Sequence, residues 1–230
     1  MKRELLISLL KLTKNNGFIQ RKLVIREARI PAKTAKELLI EFADDEIVQL
    51  NEEIIGTLPS QRFRIVARAI RLGADPERVS KTLDWREFED FAAKAFEAEG
   101  YYVKKHFRFK WAERGWEIDF LCFKNPLVVC AECKHWLQGW SNVAVLRTAK
   151  SQLDRTEALR KVLFVFREKL GLANWKEAKI VPVIISLVAG PTKFCDHVPV
   201  VPILQLQNFS NELEGYVDSL VHFNLSLQLQ

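Results

Sequence analysis

Residues 127–134 read LVVCAECK, and this stretch constrains the fold more tightly than any other. A short apolar run bounded by turn residues marks a buried strand. This one ends in Glu132, Cys133 and Lys134, and charge at the end of a buried strand is costly unless it is paired or used. A second strand-like run, WEIDFLCF at 116–123, lies just upstream, with only Lys124-Asn125-Pro126 between the two. Runs joined this closely pair as an antiparallel hairpin. With the turn centred between Asn125 and Pro126, Asp119 stands opposite Glu132 and Glu117 opposite Lys134, with facing Cβ atoms ~5 Å apart. Strand alternation then puts Glu132 and Lys134 on one face and Cys133 on the other.

Two carboxylates brought that close repel each other and raise a pKa unless a cation lies between them. Oxygen ligands on a rigid sheet suit Mg2+ or Mn2+. Such an ion acidifies a bound water and polarises a phosphoryl oxygen. Lys134 is placed to hold that water or to meet an anionic substrate. The expected reaction class is metal-assisted phosphodiester hydrolysis. An ordinary ion pair at a strand end is the plainer account of Glu132 and Lys134, and a cross-strand salt bridge is the plainer account of Glu117.

The surrounding pattern is that of an α/β domain over residues 83–230. LDWREFEDFAAKAFEAEGYYV carries Phe88, Phe91, Ala92, Ala95 and Phe96 as one helical stripe, with Asp84 as N-cap and Gly100 as stop. KKHFRFKW at 104–111 alternates, with Phe107, Phe109 and Trp111 toward a core and His106, Arg108 and Lys110 away from it. Residues 141–161 and 162–171 have helical patterns, 179–188 and 198–206 read as buried strands, and 209–220 as a closing helix. The order helix, three strands, helix, two strands, helix predicts a mixed sheet flanked by helices.

The first 58 residues read differently. Helices are expected at 2–15, 20–28 and 32–43, separated by Asn15-Asn16-Gly17 and by Ile30-Pro31, which forces an extended break. Two short strands follow around Asn51-Glu52-Glu53. Three helices and a hairpin resemble a winged helix-turn-helix. Its third helix would present Lys33, Thr34 and Lys36 near its N-terminal turn, where a recognition helix meets DNA. Residues 1–72 hold 14 Lys and Arg against 9 Asp and Glu, an excess of +5 within a chain total of +6. A basic excess concentrated there favours a nucleic-acid partner. Winged helices also serve as protein–protein modules, which is the competing reading. Residues 59–82, with Arg62, Arg64, Arg68 and Arg71, read as a helical connector, and a solvated basic face accounts for its arginines equally well.

Glu89 in the first helix of the 83–230 segment, then Asp119, then Glu132-Cys133-Lys134 resembles the PD-(D/E)xK nuclease superfamily, with its restriction-endonuclease-like core. FEDFAAKAFEAEGY, GWEIDF and AECKHW are most similar to Mrr-type enzymes and archaeal-type Holliday junction resolvases, and the resemblance covers residues 83–222. It implies that Asp119, Glu132 and the backbone carbonyl of Cys133 ligate Mg2+ or Mn2+. It implies that Lys134 orients the attacking water or stabilises the transition state, that Glu89 reaches the site from its helix, and that Gln152 helps position it. It also implies DNA as substrate and a homodimer. Ile118 stands where the family often has Gly, and the Pro-Asp dipeptide is absent.

Competing functions are a non-catalytic DNA-binding or regulatory protein that keeps the nuclease fold, and an RNA-directed nuclease. His135 following the motif reads as a surface residue rather than one pointing at substrate, and Trp136 and Trp140 beyond it read as core or rim residues rather than base-stacking groups. Cys122, Cys130, Cys133 and Cys195 lie in apolar stretches and read as core thiols of a cytosolic protein. A zinc site at Cys130 and Cys133 with Cys195 and His197 is disfavoured because strand positions i and i+3 face opposite sides. The start, MKRELLISLLKL, suits an amphipathic helix better than a signal peptide. The longest apolar run, 180–190, is too short to span a bilayer. A cytoplasmic protein is therefore expected.

Overall fold

The structure, a computed structural model, describes residues 1–134, 141–190 and 192–228. His135, Trp136 and Trp140 lie outside them. The chain divides into two compact units, Met1–Glu87 and Phe88–Gln230.

The first unit starts with helix α1 (Lys2–Leu12), whose Leu5, Leu6, Leu9 and Leu10 are wholly buried, as their helical spacing requires. Strand β1 (Phe18–Gln20), helix α2 (Arg21–Ala28) and helix α3 (Ala32–Asp44) follow. Helix α2 ends on Arg29 in the left-handed region (φ 52°), just before Ile30-Pro31 bars further helix. Strands β2 (Gln49–Leu50) and β3 (Ile54–Gly56) form the expected hairpin. The Asn51 carboxamide oxygen closes its turn by accepting from the backbone N–H of Glu53 (3.0 Å) and Ile54 (2.6 Å). The antiparallel sheet has the order β1-β3-β2, so a strand absent from the sequence reading flanks the hairpin.

Helix α4 (Pro59–Arg71) and the short helix α5 (Pro76–Ser80) also lie in this unit, with α4 packed on α1. The arginines of α4 do not form one solvated face. Arg62 is 3% exposed and its guanidinium spends every donor group. It binds the Glu87 carboxylate, the Thr13 hydroxyl (2.6 Å), and the carbonyls of Leu10 (3.0 Å) and Thr82 (3.2 Å). Helix α6 (Trp85–Ala98) starts on a capping box. Asp84 Oδ1 accepts from Glu87 N (2.8 Å), and the Glu87 carboxylate accepts from Asp84 N (3.0 Å).

The second unit holds, among the described residues, a seven-stranded mixed sheet. Gly100 (φ 81°) stops α6 and leads into β4 (Tyr102–Trp111), β5 (Arg114–Lys124) and β6 (Leu127–Lys134), an antiparallel meander. Helix α7 (Asn142–Val162), extended by a 3₁₀ turn at Leu163–Phe166, crosses to β7 (Glu177–Ser186), which pairs parallel to β6 along all of β6. Strand β8 (Phe194–Cys195), β9 (Val198–Pro202), helix α8 (Leu206–Tyr216) and β10 (Phe223–Ser226) complete the unit. The sheet order is β4-β5-β6-β7-β9-β8, with β10 antiparallel to the first half of β7.

One core packs α7 against the sheet through Leu121, Phe123, Val128, Ala158, Leu159 and Val162. Phe107 and Phe109 join it as expected, but Trp111, assigned to the same face, is 42% exposed at the tip of the β4–β5 hairpin, where it faces Arg114. On the other face Phe96 of α6 meets Phe120 edge-on at 6.1 Å. Among the described residues no helix is long and apolar enough to cross a membrane.

Candidate functional site

The β5–β6 ladder has the register expected from the turn: Lys124 faces Leu127, and the pairing runs without a slip to Phe120 and Ala131. There it stops. Strand β6 continues for three more residues, Glu132 to Lys134, paired among the described residues only with β7 on its other side. The backbone groups that β6 would have offered to β5 need other partners. Asp119, the next residue along β5, supplies one: its Oδ2 accepts the Cys133 N–H at 2.7 Å. A strand residue points its N–H and C=O to the same side, so the Cys133 carbonyl also faces the β5 side.

Strand β5 changes face at the same place. Phe120 packs toward α6, yet Ile118, two residues away, packs in the α7-side core. Plain alternation would put both on one face. On the neighbouring strand the register passes from Lys105–Phe120 to Phe107–Ile118, with His106 at φ 51° between them, across from Asp119. The pleat is broken at Asp119 and His106 together. Irregularities of this kind re-aim side chains at strand ends.

Asp119 is in consequence half-buried and poorly solvated. Burial pushes its carboxyl up to about 6, and the charges of Glu132 and then Glu89 push the same way, against the Cys133 N–H and Lys134. Three acids are thus electrically coupled at one end of the sheet. Glu89 is buried on α6, and Glu132 is 7% exposed. Both Glu132 carboxylate oxygens have a cation in contact. Lys134 Nζ lies 2.5 Å from Oε1, and Arg155 Nη1 lies 2.5 Å from Oε2.

Gln152 is wholly buried on α7 and links that helix to β6: its Nε2 donates to the Cys130 carbonyl at 2.6 Å. Its Oε1 accepts from Arg155 Nη1 at 2.7 Å. Arg155 was not singled out from the sequence, though it follows Gln152 by three residues and so shares its helix face. Glu117 does not meet Lys134. It faces Arg108 across the β4–β5 ladder and accepts from it at 3.1 Å, because β5 and β6 have already parted at that level.

The four cysteines are buried free thiols, and burial raises each of them. Cys130 meets Gln152 on the α7 side, while Cys133 is influenced by Asp119 and Glu89. Among the described residues no three His, Cys, Asp or Glu side chains are gathered into a ready-made metal cage. The donor set is two carboxylates, Asp119 and Glu132, with the Cys133 carbonyl. That set fits a hard cation such as Mg2+, which takes one or two carboxylates and fills its other positions with water and substrate oxygens. The mutual repulsion of the acids around Asp119 is what such a cation relieves.

In the first unit, Lys33 and Lys36 are exposed on the first turns of α3, and Thr34 between them is partly covered. A concavity of about 780 Å³, lined by Asn125, Pro126 and Lys176 among others, lies at the opposite end of β6 from these acids.

No protein-family model and no curated protein matches the chain. Among solved structures it is similar to protein VC1899 from Vibrio cholerae, at 13% identity and a TM-score of 0.38. The match covers 95% of this chain and 51% of that one, so the chain spans about half the length of VC1899.

Proposed function

We propose that this chain is a Mg2+- or Mn2+-dependent endonuclease of the PD-(D/E)xK type that hydrolyses phosphodiester bonds in DNA. The observation that carries the reading is the parting of β5 and β6 at Asp119, Glu132 and Lys134. Two acids and an amine, with Glu89 electrically coupled to them, lie where the backbone of one strand is turned toward the other. The order α6, β4–β6, α7, β7, with β6 and β7 parallel, is what a restriction-endonuclease-like core requires and supports it further. The order of elements in the first unit, with a sheet β1-β3-β2, likewise supports a winged helix-turn-helix, with Lys33, Thr34 and Lys36 placed to meet a nucleic-acid backbone.

Asp119 and Glu132 would hold the divalent ion, with the Cys133 carbonyl as a third donor. When bound, the ion supplies charge on the phosphoryl oxygens and a more acidic water. Lys134 presents an ammonium beside Glu132, where it orients the water that attacks phosphorus and offsets charge on the leaving side. The hydrogen bond from Cys133 N keeps Asp119 in place, and Gln152 holds the Arg155 guanidinium that meets Glu132. The phosphodiester P–O bond breaks as the new P–O bond to water forms, and the departing oxygen takes up a proton.

Plasmid, branched DNA and RNA incubated with Mg2+, Mn2+ or EDTA test the reading. Cleavage that needs the metal and is lost in Asp119→Ala and Lys134→Ala, while binding persists, is the expected result. Glu132 already has a cation on each oxygen, an observation that favours a second reading: a non-catalytic nucleic-acid-binding protein on the same fold. Binding without cleavage in either metal would select it, and cleavage confined to RNA would replace the substrate assignment.

A further inference from the structure

We propose that Arg155 is a positioning residue that competes with the divalent cation for Glu132 and so sets the affinity of the site for metal. The inference rests on the metal-dependent reading above and goes beyond it, since Arg155 belongs to no part of the motif. Three observations carry it. Arg155 Nη1 is shared between Glu132 Oε2 at 2.5 Å and Gln152 Oε1 at 2.7 Å, so two acceptors on two elements hold the guanidinium. Gln152 is itself fixed, wholly buried and bonded to the Cys130 carbonyl at 2.6 Å. Lys134 takes the other Glu132 oxygen at 2.5 Å, which leaves Glu132 no oxygen without a cation beside it.

A Mg2+ ion ligated by Glu132 sits ~2.0–2.1 Å from a carboxylate oxygen. That brings two positive charges next to a guanidinium already in contact with the same group. Like charges at this range in a poorly solvated setting repel strongly. Arg155 must therefore slide off Glu132 or weaken the ion's hold. Its side chain is 18% exposed, so it has a way out toward solvent. Metal uptake is then an exchange of cations on Glu132 rather than a simple addition. Arg155 keeps the buried acid paired before the exchange and taxes the exchange itself.

The two effects of removing Arg155 have opposite signs, which separates this role from a purely structural one. In the full-length chain without nucleic acid, Mn2+ affinity is read by electron paramagnetic resonance of the free ion, and melting is followed in EDTA. Arg155→Met is expected to bind Mn2+ about tenfold tighter, the equivalent of ~1.4 kcal/mol, while its metal-free melting temperature falls. Equal or weaker Mn2+ binding by Arg155→Met overturns the inference and leaves the metal reading standing. Absence of Mn2+ binding in both wild type and variant removes the metal reading and the inference with it. Should Arg155→Met fail to melt cooperatively, Arg155→Lys decides: a point charge that cannot span Glu132 and Gln152 is expected to give an affinity above wild type, and an affinity at or below wild type overturns the proposal.

Discussion

Asp119 works against the stability of the metal-free protein. Its carboxyl ionises at about 6 in the fold and near 3.8 when unfolded, so the fold favours the neutral form. The sign follows directly. The penalty is fully present above pH 6 and fades as the pH falls from 6 toward 3.8. Asp119→Asn keeps an oxygen for the Cys133 N–H and removes the charge. In EDTA at pH 8 it is expected to unfold at higher urea than wild type, by about 1–3 kcal/mol, with the gap narrowing at pH 5. An equal gap at both pH values would show that the charge is not the cause. Arg155 shows what was hidden at this scale. A sequence shows that a charge exists, but whether a helix arginine ends in water or against a buried acid depends on which strand the helix crosses.

At the scale of elements, the β5–β6 hairpin was legible almost to the residue because a short turn leaves few registers and burial on both faces penalises slips. The capping box of α6 was half legible. Asp84 was identified as N-cap, and its return bond from Glu87 completes the motif. Asp84→Ala is expected to cost about 1 kcal/mol, measured by chemical denaturation. Arg62 on α4 was misread, because its helical pattern is the same whether it points to solvent or to Glu87. Arg62→Ala leaves Glu87 as a buried unpaired charge and is expected to cost ~3–5 kcal/mol. Arg64→Ala, at a largely exposed pair with Glu46, is expected to change stability by less than about 0.5 kcal/mol. Similar losses for the two arginines would contradict the burial assignment. Strands β1, β8 and β10 were missed for a different reason. Two to four residues carry too little periodicity to be read; β1 and β10 exist because a distant strand pairs with each, and β8 because the chain turns back into β9.

On the scale of the whole molecule the basic excess lies in the first unit and the acid cluster in the second. Charge reversal at Lys33→Glu with Lys36→Glu is expected to weaken duplex binding and flatten its salt dependence by about two phosphate contacts. Mn2+ binding should stay as in wild type. Unchanged duplex binding would take α3 out of the interface. Local periodicity, turn chemistry and short-range pairing determined the strands that carry Asp119, Glu132 and Lys134, the stop at Gly100 and the alternation of helix and sheet. These depend on neighbours in the chain and on which faces must leave water. The tertiary fold alone decided where β5 and β6 part, that Glu117 turns to Arg108, that Arg62 is buried and that Arg155 closes on Glu132. The two buried pairs, Arg62–Glu87 and Arg155–Glu132, join residues 25 and 23 positions apart, where burial strengthens an attraction that no local pattern encodes.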